Sequence, residues 1–422
     1  MKDTKIKIKE GITLHVIDTN KFKTNMMAIF LTKKLTREGV TKEALIPAVL
    51  RLGTNNIKTQ KEINKKLEEL YGANFNCGIE KRGDNHILKF YMESICDEYS
   101  LENEDVLNKS ISLLIDLVFN PLQENERFSD KYVEGEKENL RRIIEARIDN
   151  KANYAFTRCI EEMYKNQEYG LYEYGYVEDL ENINSTNLYE YYKKIIDESK
   201  IDIFISGKIE DAKKIENIIT NNKEISKLKD RKPEYVQDSK LELNGNETKE
   251  VKDKMDVAQG KIVIGININN NVPEEYINVY NAILGGGSNS KLFQNVREKA
   301  SLAYTAGSRY LKTKNDILIR CGIEISNYDK AIKIIKEQLE DLKNGNFTEE
   351  DIQNAKELLI ASISKIEDEQ ASEISYTLAQ EISGDTKDIN EIIENINRVN
   401  KENVIEVANN LRIDTIYFLT NN

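Results

Sequence analysis

The stretch LGGGSNSKLFQNVREKASLAY, from Leu284 to Tyr304, gathers residue types able to do chemistry. Three consecutive glycines, Gly285, Gly286 and Gly287, are followed by Arg297 and then Tyr304. Glycines ahead of a helix invite a phosphate-binding reading, because bare backbone can wrap an anion. The details do not follow it. The P-loop form G-x-x-x-x-G-K-[ST] lacks its Gly-Lys pair, and the dinucleotide form G-x-G-x-x-G meets Ser290 where its last glycine should stand. A helix also precedes these glycines where that fingerprint wants a strand. What remains is a glycine-rich joint between two helices, where Gly permits close backbone approach. That reading is silent about Arg297 and Tyr304, which by themselves read as a surface helix residue and a strand-edge aromatic.

Elsewhere the candidates are few. Four cysteines, Cys77, Cys96, Cys159 and Cys321, are scattered without C-x-x-C spacing, against a zinc ribbon, redox motif or disulfide framework. They read as ordinary, mostly buried thiols in a reducing compartment. The two histidines, His15 and His86, each read as half-exposed strand residues rather than ligands. A serine or cysteine hydrolase therefore lacks its histidine base. The formal charge of −12 disfavours a nucleic-acid partner. No uninterrupted apolar run is long enough for a membrane span, and the N-terminus alternates like a strand rather than a signal peptide. The expected location is the cytoplasm.

The elements that must position these residues come in two similar sets. The first has strands over 5–17 and 23–33, a hairpin over 74–92 turning at Gly83-Asp84-Asn85, amphipathic helices over 60–70 and 102–119, a long helix over about 130–165, and the strand IDIFISGKI. The second has a strand KIVIGININ, helices over 275–284 and 289–299, strands over 303–311 and 316–325, further helices and a closing strand DTIYFL. FSDKYVEGEKENL from Phe128 and FTEEDIQNAKELL from Phe347 share Phe, Lys and Leu at equal offsets, and INSTNL from Ile183 resembles VNKENV from Val399. Two matches in the same order indicate a duplicated unit. The expected fold is α+β: two homologous domains, 1–220 and 251–422, each a mixed, mostly antiparallel sheet covered by helices on one face. A polar linker over 221–250 joins them.

The Leu284–Tyr304 segment resembles the C-terminal-half signature of the M16 peptidase family, the inverted zinc-binding metallopeptidases that include the mitochondrial processing peptidase. Gly53-Thr54, NPL at Asn120–Leu122, FSDKYVEGEKENL, YGLYEYGYVEDLENI, SGKIE and AQGKIVIG fall in family order, so the resemblance covers nearly the whole chain. It implies α/β domains, four of which close around an unfolded peptide. It also implies that Arg297 and Tyr304 reach the substrate and the carbonyl under attack, where guanidinium and phenol donate hydrogen bonds to an oxyanion. The glycine-rich loop of the mitochondrial enzyme's non-catalytic subunit extends a substrate-contacting role to Gly285, Gly286 and Gly287.

The resemblance fails at the metal. An active member carries H-x-x-E-H, two histidines on one helix face holding Zn²⁺ and a glutamate activating water, with a downstream glutamate as third ligand. Anchored on Gly53-Thr54, that motif falls on Ala44-Leu45-Ile46-Pro47-Ala48, so Ala44 and Ala48 replace the histidines and Pro47 the base. The third-ligand position falls on Ile143. No cofactor is expected in this chain; zinc belongs in a partner. The resemblance then implies a catalytically silent subunit that pairs with an H-x-x-E-H relative, forms half of a chamber for an extended peptide and lends it Arg297 and Tyr304. The alternative is a scaffold or peptide-holding homodimer with no peptidase role.

Overall fold

The computed structural model describes residues 3–421 except 234, 243–246, 270 and 271. It contains two sheets. The first is built from β1 (Asp3–Lys9), β2 (Ile12–Asp18), β3 (Thr24–Lys34), β4 (Asn74–Arg82), β5 (Asn85–Ile95) and β6 (Lys200–Gly207), in the order β1-β2-β6-β3-β5-β4. The second is built from β7 (Lys249–Lys254), β8 (Gly260–Ile268), β9 (Ala303–Leu311), β10 (Asp316–Ile323) and β11 (Leu411–Thr420), in the order β7-β11-β8-β10-β9. Without β1 the two orders superpose strand for strand. Each holds one parallel pair, β2 with β6 and β7 with β11, and is otherwise antiparallel.

Helices α1 (Val40–Leu50), α2 (Gln60–Glu69), α3 (Val106–Phe119), α4 (Asp130–Glu145), α5 (Lys151–Met163), α6 (Ser185–Glu198), α7 (Ala212–Thr220) and α8 (Lys223–Lys227) precede β7. After it come α9 (Glu274–Gly285), α10 (Tyr328–Lys343), α11 (Glu349–Ser364), α12 (Gln370–Ser383), α13 (Ile389–Arg398) and α14 (Lys401–Asn409). The duplication reaches individual bonds. Asn184 and Asn400 both close capping boxes, on α6 and α14, and Lys137 and Lys356 each donate to a backbone oxygen shortly before that cap, of Ile183 and, two positions out of register, Asn397, at 2.8 Å.

Each sheet carries its main helical layer on one face. In the first, Leu14, Ile29, Leu88 and Ile203 alternate inward against Leu45, Ile111, Leu114 and Leu188. In the second, Ile264, Ile319 and Ile416 meet Ile277, Tyr280, Ile335 and Val404. The opposite faces are covered too, each by one helix from the other half of the sequence. On the first sheet, Ile374, Leu378 and Ile382 of α12 cover Ile17, Ala28, Phe30, Ile87 and Phe204. On the second, Ala155, Phe156, Cys159, Ile160 and Met163 of α5 cover Val263, Leu318, Tyr417 and Leu419. At Gly265 a Cβ would lie 2.2 Å from Met163 Sδ, so glycine lets α5 approach β8.

The compact units therefore differ from two continuous stretches. One unit is 1–146, 171–237 and 367–385, and the other is 147–170, 238–366 and 386–422. The expected single helix over 130–165 is broken where α4 gives way to a 3-10 turn at Ala146–Ile148, and the Asn150 side chain accepts from Asn153 N to start α5. Asp149-Asn150 competes with the helix for backbone groups, so the chain can change direction there. The expected linker is strapped down in its described parts. Ile225 and Leu228 join the first unit's core, Tyr235 Oη donates to Asp202 at 2.7 Å, and Leu241 joins the second unit. Residues 243–246 of that stretch lie outside the described residues.

Candidate functional site

In the second unit α9 ends at Gly285, and the reason for glycine is local. A Cβ on Gly285 would fall 2.3 Å from Ser308 N, inside the backbone of β9. On Gly286 it would fall 2.7 Å from Ala282 Cα, whereas at Gly287 only the end of Leu358 comes close, at 3.3 Å. None of the three has positive φ, so close approach rather than an unusual turn explains the first two. The loop then turns into a π-helix over Phe293–Lys299, a wide-turned form frequent at functional sites.

Leu292 and Val296 are fully buried and set the roll of that helix, which leaves Arg297 exposed. Its Cζ lies 4.5 Å from the Phe293 ring centroid, and Nε lies 3.6 Å from a Glu298 oxygen. Ser301, at φ +52°, turns the chain into β9, the edge strand of its sheet. There Ala303 pairs with Ile323 and Thr305 with Gly322, so Tyr304 is the extra residue of a β-bulge. Bulges re-aim side chains, and Tyr304 is 54% exposed. The turn thus puts a guanidinium and a phenol at the start of one open strand edge.

In the first unit α1 carries the residues at the motif position. Ala44 and Ala48, four apart, share a half-buried helix face, and Pro47 sits inside the helix. Pro47 removes one backbone N–H, a change that costs about 3 kcal/mol in a helix interior, so the surrounding burial of Leu45, Ile46, Val49 and Leu50 must hold α1 together. Ile143 is 47% exposed on α4, which packs on α1. The thiol of Cys77, on β4, donates to Pro47 O at 3.2 Å. Burial pushes that thiol up to about 11, against the pull of Arg51. Two methyls, a pyrrolidine and an isoleucine supply no donor, and a thiol held protonated is a poor substitute, so these residues do not fit zinc. Among the described residues no group of three or more His, Cys, Asp or Glu side chains could hold a metal ion.

Sequence reasoning missed the polar cluster beside this motif. Glu43, fully buried on α1, meets His86 Nδ1 at 2.5 Å, Tyr191 Oη at 2.7 Å and Lys33 Nζ at 3.6 Å. Burial opposes its ionisation, yet the hydrogen bonds from His86 and Tyr191 and the charge of Lys33 hold it below the usual carboxylate range. His86 is wholly buried rather than half-exposed, and β5 carried the signal: it shares parity with Leu88, Phe90 and Met92. His15 is also wholly buried. It stacks on Phe204 at 4.2 Å, with Nδ1 3.1 Å from Asp3 and Nε2 3.5 Å from Asp202. No local signal exposed this, because Asp202 and Phe204 lie far from His15 in sequence.

The comparisons with known proteins agree with this geometry. A Bacillus subtilis (strain 168) protein described as "Probable inactive metalloprotease YmfF" is 34% identical over 413 residues, covering 97% of this chain and 96% of its own. The chain belongs to the M16 peptidase family. Residues 182–359 match the family description "Peptidase M16 inactive domain". The crystal structure of a conserved protein from Enterococcus faecalis V583 superposes with a TM-score of 0.92 at 26% identity, over 100% of this chain and 99% of that one. A peptidase M16 inactive domain from Pseudomonas fluorescens shares the fold, with a TM-score of 0.80 at 16% identity over 100% and 99% of the two chains. This M16 homologue has the family's two-sheet α+β fold and lacks the family's zinc motif.

Proposed function

We propose that this chain is an inactive M16 subunit that pairs with an H-x-x-E-H-bearing relative, supplies half of a peptide-binding chamber and donates Arg297 and Tyr304 to the relative's active site. One contrast carries the reading. Helix α1 and Ile143 have lost every ligand and base, while the π-helix and bulge still present an arginine and a tyrosine to solvent. Both are hydrogen-bond donors suited to a tetrahedral oxyanion. Strand β9 supports an extended peptide as substrate. Its residues Ala303–Ser308 are uncharged, whereas β7, at the sheet's other edge, reads KEVKDK. Charged edges resist strand addition and uncharged ones admit it. Gly285, Gly286 and Gly287 would border that peptide.

The four free cysteines support a reducing compartment, and the proposal places the pair in the cytoplasm. No helix among the described residues is long and apolar enough to cross a membrane.

The test begins with the tagged chain purified from its own cells and the native mass of what it retains. A heterodimer with one H-x-x-E-H relative supports the proposal. A self-dimer or monomer refutes it and favours a scaffold or peptide-holding role. In the heterodimer, Arg297→Ala or Tyr304→Phe should lower kcat by about 10²–10³, the worth of one oxyanion donor. Unchanged kcat/KM in both variants sinks the donated site.

A further inference from the structure

Arg297 differs from the acid-paired arginines of this chain in what its fork meets. Arg37, Arg82, Arg142, Arg147, Arg158 and Arg398 each place a guanidinium nitrogen within 3.3 Å of a carboxylate oxygen. Arg297 has Glu298 at 3.6 Å from Nε, and among the described residues no hydrogen bond occupies its two Nη groups. Its main support is an aromatic face, with Cζ 4.5 Å from the centroid of Phe293. Phe293 and Arg297 stand four apart in the π-helix, alongside the buried pair Leu292 and Val296. That buried pair fixes which way the ring faces. A guanidinium over a ring is held by cation–π attraction while the N–H groups directed away from it stay available. A carboxylate partner would hold it equally well but would consume those donors.

We propose that Phe293 is the positioning residue for Arg297: its ring orients the guanidinium so that the outer N–H groups meet a peptide carbonyl. This rests on reading Arg297 as a donated group. Phe293 touches no substrate; it acts through Arg297. Any aromatic of similar size satisfies the role, and an aliphatic of similar volume fills the space without providing the face.

The test has two readouts. In the isolated chain labelled with ¹⁵N-arginine, the Arg297 Nε–H resonance is identified by its loss in Arg297→Lys. A ring-current shift should be present in the native chain and Phe293→Tyr, and absent in Phe293→Leu. In the heterodimer, turnover of a library of quenched-fluorescent decapeptides should fall about two- to five-fold in kcat/KM for Phe293→Leu, the size an exposed cation–π contact carries, and recover in Phe293→Tyr. Equal losses in Phe293→Leu and Phe293→Tyr, or a Phe293→Leu shift like the native one, overturn the proposal. If Arg297→Ala leaves kcat/KM unchanged while the shift still depends on the ring, the donated-site reading fails and the stack alone survives.

Discussion

Asp316→Asn should stabilise this protein at neutral pH and leave it unchanged near pH 4. Asp316 opens β10 with no exposed surface, beneath the segment that follows α5. Tyr164 Oη donates to one carboxylate oxygen and Asn267 Nδ2 to the other, the latter at 2.8 Å. Burial pushes the carboxyl up to about 7 from 3.8; the two hydrogen bonds and Lys314 pull it down, and Asp414 adds to the rise. The other titratable neighbours are Tyr310 and Cys159, whose own ionisation the carboxylate opposes.

The sign follows from proton binding. Between pH 4 and 7 the folded state holds a proton that the unfolded state has released, so stability falls as pH rises across that window and levels off above it. A shift from 3.8 to about 7, at 1.36 kcal/mol per unit, puts the total at about 4 kcal/mol. Asparagine keeps the shape without the charge. The assay is urea unfolding of both proteins at half-unit steps from pH 4 to 8. The difference between them isolates Asp316 from His15, whose raised value, lifted by Asp202 and Asp3 against burial, makes stability fall with rising pH in both proteins alike. Parallel profiles, or a less stable Asp316→Asn at pH 8, would refute the argument.

The helix exchange predicts that a chain of residues 1–237 and a chain of residues 238–422 are each insoluble alone and soluble when co-expressed, as read by fractionation and co-purification. Without α12 the first chain uncovers Phe30 and Phe204 and forgoes burial of Ile374, Leu378 and Ile382, about 1.5–3 kcal/mol per side chain, comparable in sum to a domain's whole stability. Gly285→Ala, whose Cβ would meet β9 backbone 2.3 Å away, should lower the melting temperature and quicken hydrogen exchange along 303–311. Restoring Ala44→His, Pro47→Glu and Ala48→His without Ile143→Glu should leave zinc substoichiometric after dialysis, measured by atomic emission, because the position that the family resemblance assigns to the third ligand still holds isoleucine. Adding Ile143→Glu should raise the zinc content toward one per chain.

Much of this protein is written in local pattern. Alternation in β2, β3 and β5, helical periodicity in α3, the capping asparagines and the paired Phe-Lys-Leu offsets depend on neighbours within a few residues, so two similar α+β halves are readable directly. The loss of the metal motif is readable for the same reason, since Ala44, Pro47, Ala48 and Ile143 lack donor atoms in any fold. Tertiary structure decided the rest. Amphipathicity says that α5 and α12 each need an apolar partner, but not which sheet provides it, and both cross to the sheet of the other half. His15 is buried among groups distant in sequence, stacked on Phe204 and beside Asp202. The π-turn under Arg297, the bulge at Tyr304 and the Gly285–Ser308 contact also depend on how α9 and the edge strand meet. Sequence by itself determines which groups this chain can offer; long-range packing determines which stay exposed and which way they point.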